Sequence, residues 1–292
     1  MPENLTIAVA SGKGGTGKTT VATNLAFLLG EQGKQVQYID CDVEEPNGNI
    51  FLKPHVTDVK KVTIDVPRVD TNKCIHCGKC GDICQYSAIV AVSDTVLTFE
   101  QLCHCCGGCR LVCPVDAIKP KPIQIGDVEY GYSDNIECVT GRLKIGDIRS
   151  PAVIRRVKEK INQYKITILD VPPGTSCPVV EALKGTDFVL LVTEPTPFGL
   201  NDLKLAAEMV RKLGLMFAVV VNRSDIGDMN VRQYCERENI DIVLEIPDDR
   251  RIAEAYSRGR IITDVVPEYK SGFAELYENL TDMLEVKLSE KK

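Results

Sequence analysis

The feature that most constrains the fold of this chain is a glycine-rich segment near its N-terminus, Gly12-Lys-Gly-Gly-Thr-Gly17-Lys18-Thr19. It fits the phosphate-loop pattern G-x4-G-K-[ST], follows an apolar run at 5–10, and precedes apolar residues at helical spacing. Glycines in such a loop let consecutive backbone N–H groups face phosphate oxygens, and the positive end of the following helix dipole favours the same anion. The pattern therefore predicts a strand, a nucleotide-phosphate site and a helix, in that order.

Within this loop, Lys18 is predicted to contact the β- and γ-phosphates, and the Thr19 hydroxyl is predicted to bind Mg²⁺. A glycine-rich turn without a ligand is the alternative, and the agreement between the pattern and its flanking segments counts against it. The residues predicted to surround the phosphates are Gly12, Gly14, Gly15, Thr16, Gly17, Lys18, Thr19 and Thr20.

Apolar strand patterns alternate with amphipathic helix patterns along much of the chain. The periodicity fades between Glu44 and Pro67, and a cysteine-rich block interrupts it at about 68–122. The alternation predicts an α/β fold with a mostly parallel sheet covered on both faces. Strands are predicted at 35–40, 166–170, 188–193, 217–222 and 242–246, and helices at 200–213, 231–239 and 269–288.

The position of the cysteine-rich block predicts three segments. Residues 1–67 form the first part of a nucleotide-binding domain, 68–122 form a small inserted α+β domain, and 123–292 form the second part. An insertion is favoured over a terminal domain because strand and helix patterns stand on both sides of the block.

Composition and charge exclude several function classes. The net charge is −6 and Trp is absent, so neither a basic field nor a base-stacking surface for nucleic acid is expected. No stretch approaches the roughly 18 apolar residues of a membrane span, and the first residues lack signal-peptide order. We therefore expect a cytoplasmic protein that binds neither nucleic acid nor membranes. In that compartment, metal ligation explains the 13 cysteines better than disulfides do.

An internal repeat carries eight of the 13 cysteines, because the spacing C-x2-C-x2-C-x3-C occurs at 74–84 and again at 103–113. The block resembles bacterial ferredoxins that hold two [4Fe–4S] clusters. In such ferredoxins the fourth cysteine of each run ligates the other cluster, so the resemblance implies two ligand sets. They are Cys74, Cys77, Cys80 and Cys113 for one cluster, and Cys103, Cys106, Cys109 and Cys84 for the other.

The block departs from the ferredoxin pattern at two positions. Gln85 stands where proline is expected after the fourth cysteine, which leaves the ligands intact but puts the local turn in question. Cys105 is surplus, either as a substitute ligand or as a small packed side chain. Two zinc sites are the alternative interpretation, but zinc sites usually use two separated C-x2-C pairs. The compact triplet with a distant fourth cysteine favours iron–sulfur clusters.

Lys13 and several further motifs extend the interpretation of the phosphate loop. Lys13-Gly-Gly-Thr-Gly-Lys-Thr, Asp40-Cys-Asp42 and the switch segment Asp170-Val-Pro-Pro-Gly-Thr together resemble the MinD/ParA/Mrp class of P-loop ATPases, which has a deviant Walker A motif. The resemblance covers nearly all the chain outside the block. It implies a MinD-like fold and a homodimer, or a heterodimer with a related ATPase, that encloses ATP and Mg²⁺. The other matching motifs are Thr193-Glu-Pro, Asn222-Arg223 and Ile246-Pro-Asp.

The same resemblance implies a role for each matching residue. Lys13 reaches the phosphates of the partner subunit, and Asp42 orients the attacking water. Asp40 and Asp170 join Thr19 in the magnesium shell. Adenine is favoured as the base, although Asn222-Arg223-Ser224-Asp225 also resembles the guanine-binding N-K-x-D motif, which leaves GTP open. The predicted base contacts are Asn222, Arg223, Pro247 and Asp248.

Cys138 and Cys177 lie outside the cysteine-rich block. Cys177 follows Asp170 by seven residues, a placement similar to that in the nitrogenase iron protein and its relatives in protochlorophyllide reduction. There, two cysteines from each subunit hold a [4Fe–4S] cluster on the dimer axis. The resemblance implies a third, intersubunit cluster held by Cys138 and Cys177 of both chains. Two ordinary buried thiols are the alternative.

Three functions are consistent with these motifs. The first is an ATPase that gates electron transfer from its clusters to a redox partner. The second is an assembly factor that delivers a metal–sulfur cofactor to an apo metalloprotein. The third is a MinD/ParA-type positioning or regulatory ATPase with the ferredoxin block as redox sensor, and the lack of a membrane helix and of a basic surface counts against it.

Overall fold

A computed structural model describes residues 5–290, and a central sheet runs through most of this range. Its strands alternate with helices from the phosphate loop onward, apart from the stretch between β2 and α5. The strands are β1 (Leu5–Ala10), β2 (Val36–Asp40), β3 (His55–Val69), β4 (Ile89–Val92), β5 (Thr95–Thr98), β6 (Ile118–Ser133), β7 (Ile136–Leu143), β8 (Ile166–Asp170), β9 (Phe188–Thr193), β10 (Met216–Asn222) and β11 (Ile242–Ile246).

The helices cover both faces of the sheet. Within the described range, none is both long and apolar enough to cross a membrane. Short 3₁₀ turns occur at Glu100–Leu102 and Pro267–Tyr269. The α-helices are α1 (Lys18–Glu31), α2 (Gly48–Leu52), α3 (Lys79–Asp82), α4 (Gly108–Leu111), α5 (Ser150–Lys158), α6 (Cys177–Leu183), α7 (Pro197–Lys212), α8 (Asn230–Arg237), α9 (Arg250–Ser257), α10 (Ile262–Val265) and α11 (Lys270–Glu290).

Nine strands form the main sheet, in the order β11-β10-β9-β1-β8-β2-β7-β6-β3. Neighbours from β11 to β7 pair in parallel, whereas β6 pairs antiparallel with both β7 and β3. The prediction of a mostly parallel α/β sheet is therefore confirmed. Because β1 lies in the middle of the parallel part, the loop that follows it opens at the centre of the sheet edge.

The parallel strands are buried because they are apolar on both sides. In β1, Ile7 and Val9 pack into a core that includes α1 and α11, while Ala8 and Ala10 pack into a second core that includes α5, α6 and α7. Strands with apolar residues on both faces are typical of parallel sheets covered by helices. The two cores fix the sheet between the helix layers and so hold its carboxyl edge in place.

A long antiparallel ribbon of β3 and β6 differs from the sequence-based expectation. The two strands pair from His55–Tyr132 to Val69–Ile118, with two register shifts. No strand is predicted at 55–67 from the sequence, although Val62, Ile64 and Val66 alternate with polar residues there; most of the other β3 side chains are exposed. The ribbon crosses both predicted domain boundaries, and its far end carries residues 70–117.

Residues 70–117 repeat in structure as they do in sequence. His76 and Cys105 have φ values of 53° and 56° at equivalent positions, and Gly78 and Gly107 have 76° and 73°. A helix of one turn follows in each half, α3 in the first and α4 in the second. The two halves therefore adopt one backbone shape twice.

The apolar cores of this segment are small. One is formed by Val66, Ala88 and Cys103, and the other by Cys80, Ile89 and Ile118. Cysteines therefore supply part of each core, and the segment has little other apolar surface to bury.

Candidate functional site

The predicted phosphate loop lies between β1 and α1. Gly17 precedes α1 with a φ of 96°, a left-handed conformation that glycine adopts at little cost. Gly12 passes so close to α7 that a Cβ atom there would lie 2.3 Å from the Asp202 carbonyl oxygen. The glycines therefore allow the loop to pack against α7, and Lys18 stands buried at the first position of α1.

Two aspartates end neighbouring parallel strands beside this loop. Asp40 of β2 and Asp170 of β8 occupy paired positions, and both are buried. The Tyr38 hydroxyl donates a hydrogen bond to Asp170 Oδ2 at 3.0 Å, and the Gly48 N–H donates one to Asp40 Oδ2 at 3.0 Å. Burial raises the pKa of each of the two carboxyl groups. A cation placed between them would favour their charged forms.

The acid pair fits the predicted magnesium ion. Asp170 Oδ1 is buried and has no hydrogen-bond partner in the part of the chain that the structure describes. An unsatisfied buried oxygen is costly unless a cation or water contacts it. Carboxylate and hydroxyl oxygens are the ligands that Mg²⁺ prefers, so Asp40, Asp170 and Thr19 form a suitable donor set.

A cavity of about 430 Å³ opens next to the loop, and its volume lies in the range of small-molecule sites. The predicted residues Gly12, Lys13, Thr16, Asp40 and Asp170 are not part of its lining. The structure thus brings most of the predicted nucleotide contacts together. The predicted residues on the lining are Gly14, Gly15, Gly17, Lys18, Thr19, Thr20, Asp42, Asn222, Arg223, Pro247 and Asp248.

Asp42 and Asn222 face this cavity with different partners. Burial and the nearby Asp170 raise the pKa of Asp42 to about 6, while Lys18 opposes the rise. Asp42 is therefore mostly ionised at neutral pH and able to accept a hydrogen bond from water. Asn222 Nδ2 donates to the Thr16 carbonyl at 3.0 Å, so this side chain also supports the phosphate loop.

Lys13 pairs with an acidic residue of its own chain. Its Nζ lies 3.7 Å from Glu194 Oε2, and Arg223 Nη1 lies 3.2 Å from Glu194 Oε1. Neither Glu194 nor Tyr38 is among the residues predicted from the sequence. The Thr193-Glu-Pro motif contains the former, whereas a tyrosine in a buried strand pattern gives no signal of a polar role.

The cysteine-rich segment contains two cavities, each lined by one predicted ligand set. The larger, of about 240 Å³, is lined by Cys84, Cys103, Cys106 and Cys109, with the surplus Cys105 beside them. The narrower, of about 20 Å³, is lined by Cys74, Cys77, Cys80 and Cys113. The fourth cysteine of each half therefore lies with the first three of the other half.

The donor chemistry of both cavities fits iron–sulfur clusters. Four cysteine thiolates are the ligand set that a [4Fe–4S] cluster takes, and each cavity is lined by that number of predicted ligands. Among the described residues, no group of three His, Cys, Asp or Glu side chains forms a site for a single metal ion. At about 20 Å³ the narrower cavity has room for about one water molecule, so its lining must move outward to admit a cluster.

The backbone around Cys84 favours the thiolate form that a cluster requires. Burial acts to raise the pKa of this thiol, but hydrogen bonds from neighbouring backbone N–H groups, those of Tyr86 and Ile89 foremost, outweigh it and lower the pKa. Gln85 does not alter the turn that follows. Ser87 and Asp116, each three residues after a fourth cysteine, have φ values of 50° and 49°.

Cys138 and Cys177 lie on opposite faces of the sheet. Cys138 on β7 is 3% exposed and packs into the core that includes α1, where burial raises its pKa to about 12. Cys177 is exposed at the start of α6, whose buried residues belong to the other core. The structure therefore gives no support to a cluster shared by these two thiols, and Cys138 is a buried core thiol.

Comparisons with known proteins agree with this geometry. The family description "CobQ/CobB/MinD/ParA nucleotide binding domain" matches residues 7–262. An uncharacterised protein of Methanocaldococcus jannaschii is 33% identical in an alignment 267 positions long that covers 89% of this chain and 91% of that protein. An iron–sulfur cluster carrier protein of Pyrococcus abyssi is 26% identical in an alignment 307 positions long that covers 98% of this chain and 89% of that protein.

Among solved structures, the septum site-determining protein MinD of Pyrococcus horikoshii, complexed with Mg-ADP, matches with a TM-score of 0.60. The two chains share 22% sequence identity, and the match covers 97% of this chain and 98% of that one. At this level of identity the likeness shows a shared fold.

Proposed function

This chain belongs to the CobQ/CobB/MinD/ParA nucleotide-binding family, and from that membership we propose that it is a dimeric ATPase whose nucleotide cycle is coupled to iron–sulfur clusters. One observation carries the proposal: a phosphate loop beside two buried aspartates, and two cavities lined by four predicted cysteine ligands each, occur in the same chain. The name of the relative called an iron–sulfur cluster carrier protein supports the combination.

In the proposed hydrolysis, the loop and Lys18 bind the β- and γ-phosphates of ATP. Thr19, Asp40 and Asp170 hold Mg²⁺, which neutralises phosphate charge when bound. Asp42 accepts a hydrogen bond from the attacking water and so orients it. Asn222 supports the loop through the Thr16 carbonyl and lines the part of the cavity assigned to the base.

In the proposed dimer, Lys13 leaves Glu194 and contacts the phosphates bound to the partner subunit. In the single chain this lysine pairs with Glu194 at 3.7 Å, and its side chain is 33% exposed. Glu194 is buried, and Arg223 Nη1 at 3.2 Å remains as its cationic partner when the lysine leaves. Once released toward the phosphates of the partner subunit, it places positive charge where negative charge develops during hydrolysis.

The two cysteine cavities each hold one [4Fe–4S] cluster in this proposal, and such clusters accept and release single electrons. Nucleotide-driven closure of the dimer gates the passage of electrons to a redox partner. Exposed apolar side chains at the narrower cavity, Ile75 and Val115, offer a surface on which that partner can dock.

Delivery of a cluster to an apo metalloprotein is the second candidate. It is favoured by the similarity to the iron–sulfur cluster carrier protein of Pyrococcus abyssi, which matches 98% of this chain. The two candidates use the same residues and differ in whether iron leaves the protein. Incubation with an apo acceptor separates them, because only delivery transfers iron to it.

The first test is electron paramagnetic resonance of anaerobically purified, dithionite-reduced protein, with iron quantification, in the presence and absence of Mg-ATP. We expect about eight irons per chain, as two [4Fe–4S] clusters require. We also expect signals from two interacting reduced clusters that change with nucleotide. Zinc in place of iron would overturn the cluster assignment, and signals indifferent to nucleotide would remove the coupling.

Three variants control this measurement. Lys18→Ala should abolish hydrolysis and the response to nucleotide while the iron content stays unchanged. Cys109→Ser should lose the cluster of the larger cavity. Cys235→Ala, which alters a buried cysteine on α8 outside both cavities, should keep all the iron.

A further inference from the structure

A short segment at residues 144–149, between β7 and α5, is tied to the nucleotide site at its first end. The Leu143 N–H, at the end of β7, donates to the Val43 carbonyl at 2.7 Å. Val43 is buried and directly follows Asp42, which faces the nucleotide cavity. A displacement of Asp42 therefore reaches the segment through one peptide unit and one hydrogen bond.

The second end of the segment is tied to the switch segment that follows β8. It continues into α5, which begins at Ser150 and packs against α6. Lys158 Nζ of α5 donates to the Glu181 carbonyl of α6 at 3.0 Å. Upstream of α6, the Gly174 N–H donates to the Ser11 carbonyl beside the phosphate loop at 2.9 Å. Two contact routes from the nucleotide site therefore meet at residues 144–150.

Arg149 connects this segment to the cysteine-rich block. Its side chain is 9% exposed, and its Nε donates to Asp147 Oδ1 at 2.7 Å while Nη2 pairs with Oδ2. Its Nη1 donates to the Glu100 carbonyl at 3.0 Å. Glu100 begins the 3₁₀ turn that leads directly to Cys103. The guanidinium thus joins the nucleotide-binding part to the backbone beside the larger cavity.

The charge of Arg149 lies close to that cavity in the chain, because its Nη1 donates to the Glu100 carbonyl, three residues before Cys103 on the cavity lining. A reduced cluster carries one more negative charge than an oxidised one, so a nearby cation favours reduction. The distance of this guanidinium from a cluster in the larger cavity would therefore affect the reduction potential of that cluster.

We propose that Arg149 is a positioning residue that carries the nucleotide state to the larger cavity and sets the reduction potential of the cluster bound there, an inference that rests on the proposed function. A shift of Asp42 or of the switch segment moves residues 144–149, and the guanidinium held by Asp147 moves with them. The side-chain hydrogen bonds of Arg149 reach Asp147 and Glu100, which line neither cavity, and the link to the larger cavity is the 3₁₀ turn that runs from Glu100 to Cys103. Nucleotide is therefore expected to change one cluster and leave the other unchanged.

The test is an anaerobic redox titration of both clusters by electron paramagnetic resonance, without nucleotide and with a non-hydrolysable Mg-ATP analogue. In the wild type, one of the two potentials shifts on nucleotide binding. In Arg149→Gln this shift is lost, and the affected potential is lower in both states because the charge is gone. Arg149→Lys restores the nucleotide-free potential but only part of the shift, because it lacks the three-way hydrogen bonding.

The matched control is Arg142→Gln, which removes a partly exposed arginine of β7 that pairs with Glu129. It should leave both potentials and their response to nucleotide unchanged. Iron content and nucleotide affinity are measured for every variant. A wild type without iron defeats the proposed function itself. An iron-loaded wild type whose signals change with nucleotide while neither potential shifts overturns this inference alone.

The inference is also overturned if Arg149→Gln keeps the full nucleotide-dependent shift. Should that variant fail to fold, Asp147→Asn decides the question. It preserves the arginine charge but weakens the pairing that holds the guanidinium against residue 147. Loss of the shift in Asp147→Asn, with iron content preserved, supports the inference. Retention of the full shift contradicts it.

Discussion

Tyr38 brings a hydroxyl group into the buried acid pair beside the phosphate loop. By donating to Asp170 Oδ2 at 3.0 Å, it leaves only Oδ1 of that carboxylate without a protein partner. The orientation of Asp170 toward the magnesium position therefore depends on a residue that touches neither the ion nor the nucleotide. Removing the hydroxyl would leave a second buried carboxylate oxygen unsatisfied.

We expect Tyr38→Phe to raise the Mg²⁺ concentration for half-maximal ATP hydrolysis by roughly tenfold, because a hydrogen bond to a charged group contributes about 1.5–3 kcal/mol. The measurement is a Mg²⁺ titration of hydrolysis at saturating ATP. Tyr234→Phe, at a buried tyrosine of α8, is the control and should keep the wild-type requirement. An unchanged requirement in Tyr38→Phe would mean that Asp170 is oriented by other contacts.

Gly12 and Gly14 form a matched pair within the phosphate loop. A Cβ atom at Gly12 would lie 2.3 Å from the Asp202 carbonyl oxygen, whereas one at Gly14 meets no atom within 4 Å. We expect Gly12→Ala to destabilise the nucleotide-free protein by about 1–3 kcal/mol through overpacking, and Gly14→Ala to leave its stability unchanged. Chemical unfolding of both variants checks this, and equal stabilities would contradict the close packing of the loop on α7.

Single residues were predictable from the sequence where a motif fixes their spacing. Lys18 and Thr19 were predicted correctly to lie on the cavity, because the four fixed positions of the phosphate-loop pattern and its strand–helix context define them. The polar role of Tyr38 was not predicted, because an aromatic residue in a buried strand pattern indicates only packing. The pairing of Cys138 with Cys177 found no support because a count of residues along the chain does not tell which face of a sheet a side chain joins.

At the scale of elements, the β3–β6 ribbon connects the nucleotide-binding part to the cysteine-rich segment at residues 70–117 and holds the two apart. Its far end pairs Val69 with Ile118, so the chain enters and leaves residues 70–117 at neighbouring positions. Neighbouring ends of this kind allow a hairpin turn to replace whatever lies between them.

We expect a variant that replaces residues 70–117 by Asn-Gly to fold and to hydrolyse ATP at about the wild-type basal rate. The two-residue turn continues the existing register of the ribbon, and the main cores lie outside the deleted range. Deleting residues 70–118 instead offsets the strands by one residue and should disturb their pairing. Circular dichroism and an ATPase assay compare the two deletions. If the first deletion is insoluble, the cysteine-rich segment is needed for folding of the whole.

Strands and helices were predicted more accurately where more of their side chains are buried in an apolar core. Strands such as β8 and β9 have the predicted bounds because apolar residues cover both of their faces. The strand β3 was missed because most of its side chains meet solvent and its alternation of apolar residues is limited to Val62, Ile64 and Val66. The small helices α3 and α4 have four residues each and contain no periodic pattern at all.

At the scale of the whole molecule, the two parts differ in how they are stabilised. The sheet has an extensive apolar core on each face, while each core of the cysteine-rich segment contains three buried residues, at least one of them a cysteine. A segment with so small a core usually needs metals or cross-links to stay folded.

Removal of iron should therefore unfold residues 70–117 and leave the nucleotide-binding part folded. We expect limited proteolysis of the chelator-treated protein to cut within this range, while the reconstituted protein resists and both forms still bind ATP. Mass spectrometry of the fragments locates the cuts. Cleavage spread across the sheet, or equal resistance with and without iron, would show that the segment does not depend on its clusters.

The neighbouring positions of Val69 and Ile118 also have an evolutionary consequence. An ancestor whose sheet ended in a plain hairpin could acquire the cysteine-rich segment by one insertion at the hairpin tip, with no strand of the nucleotide-binding part rearranged. The same site would allow the segment to be lost again, or exchanged for another, without an intermediate that fails to bind nucleotide. In such a lineage the nucleotide-binding part and the cysteine-rich segment can change at different rates, and residues 144–149, which contact both, are where their changes must stay compatible.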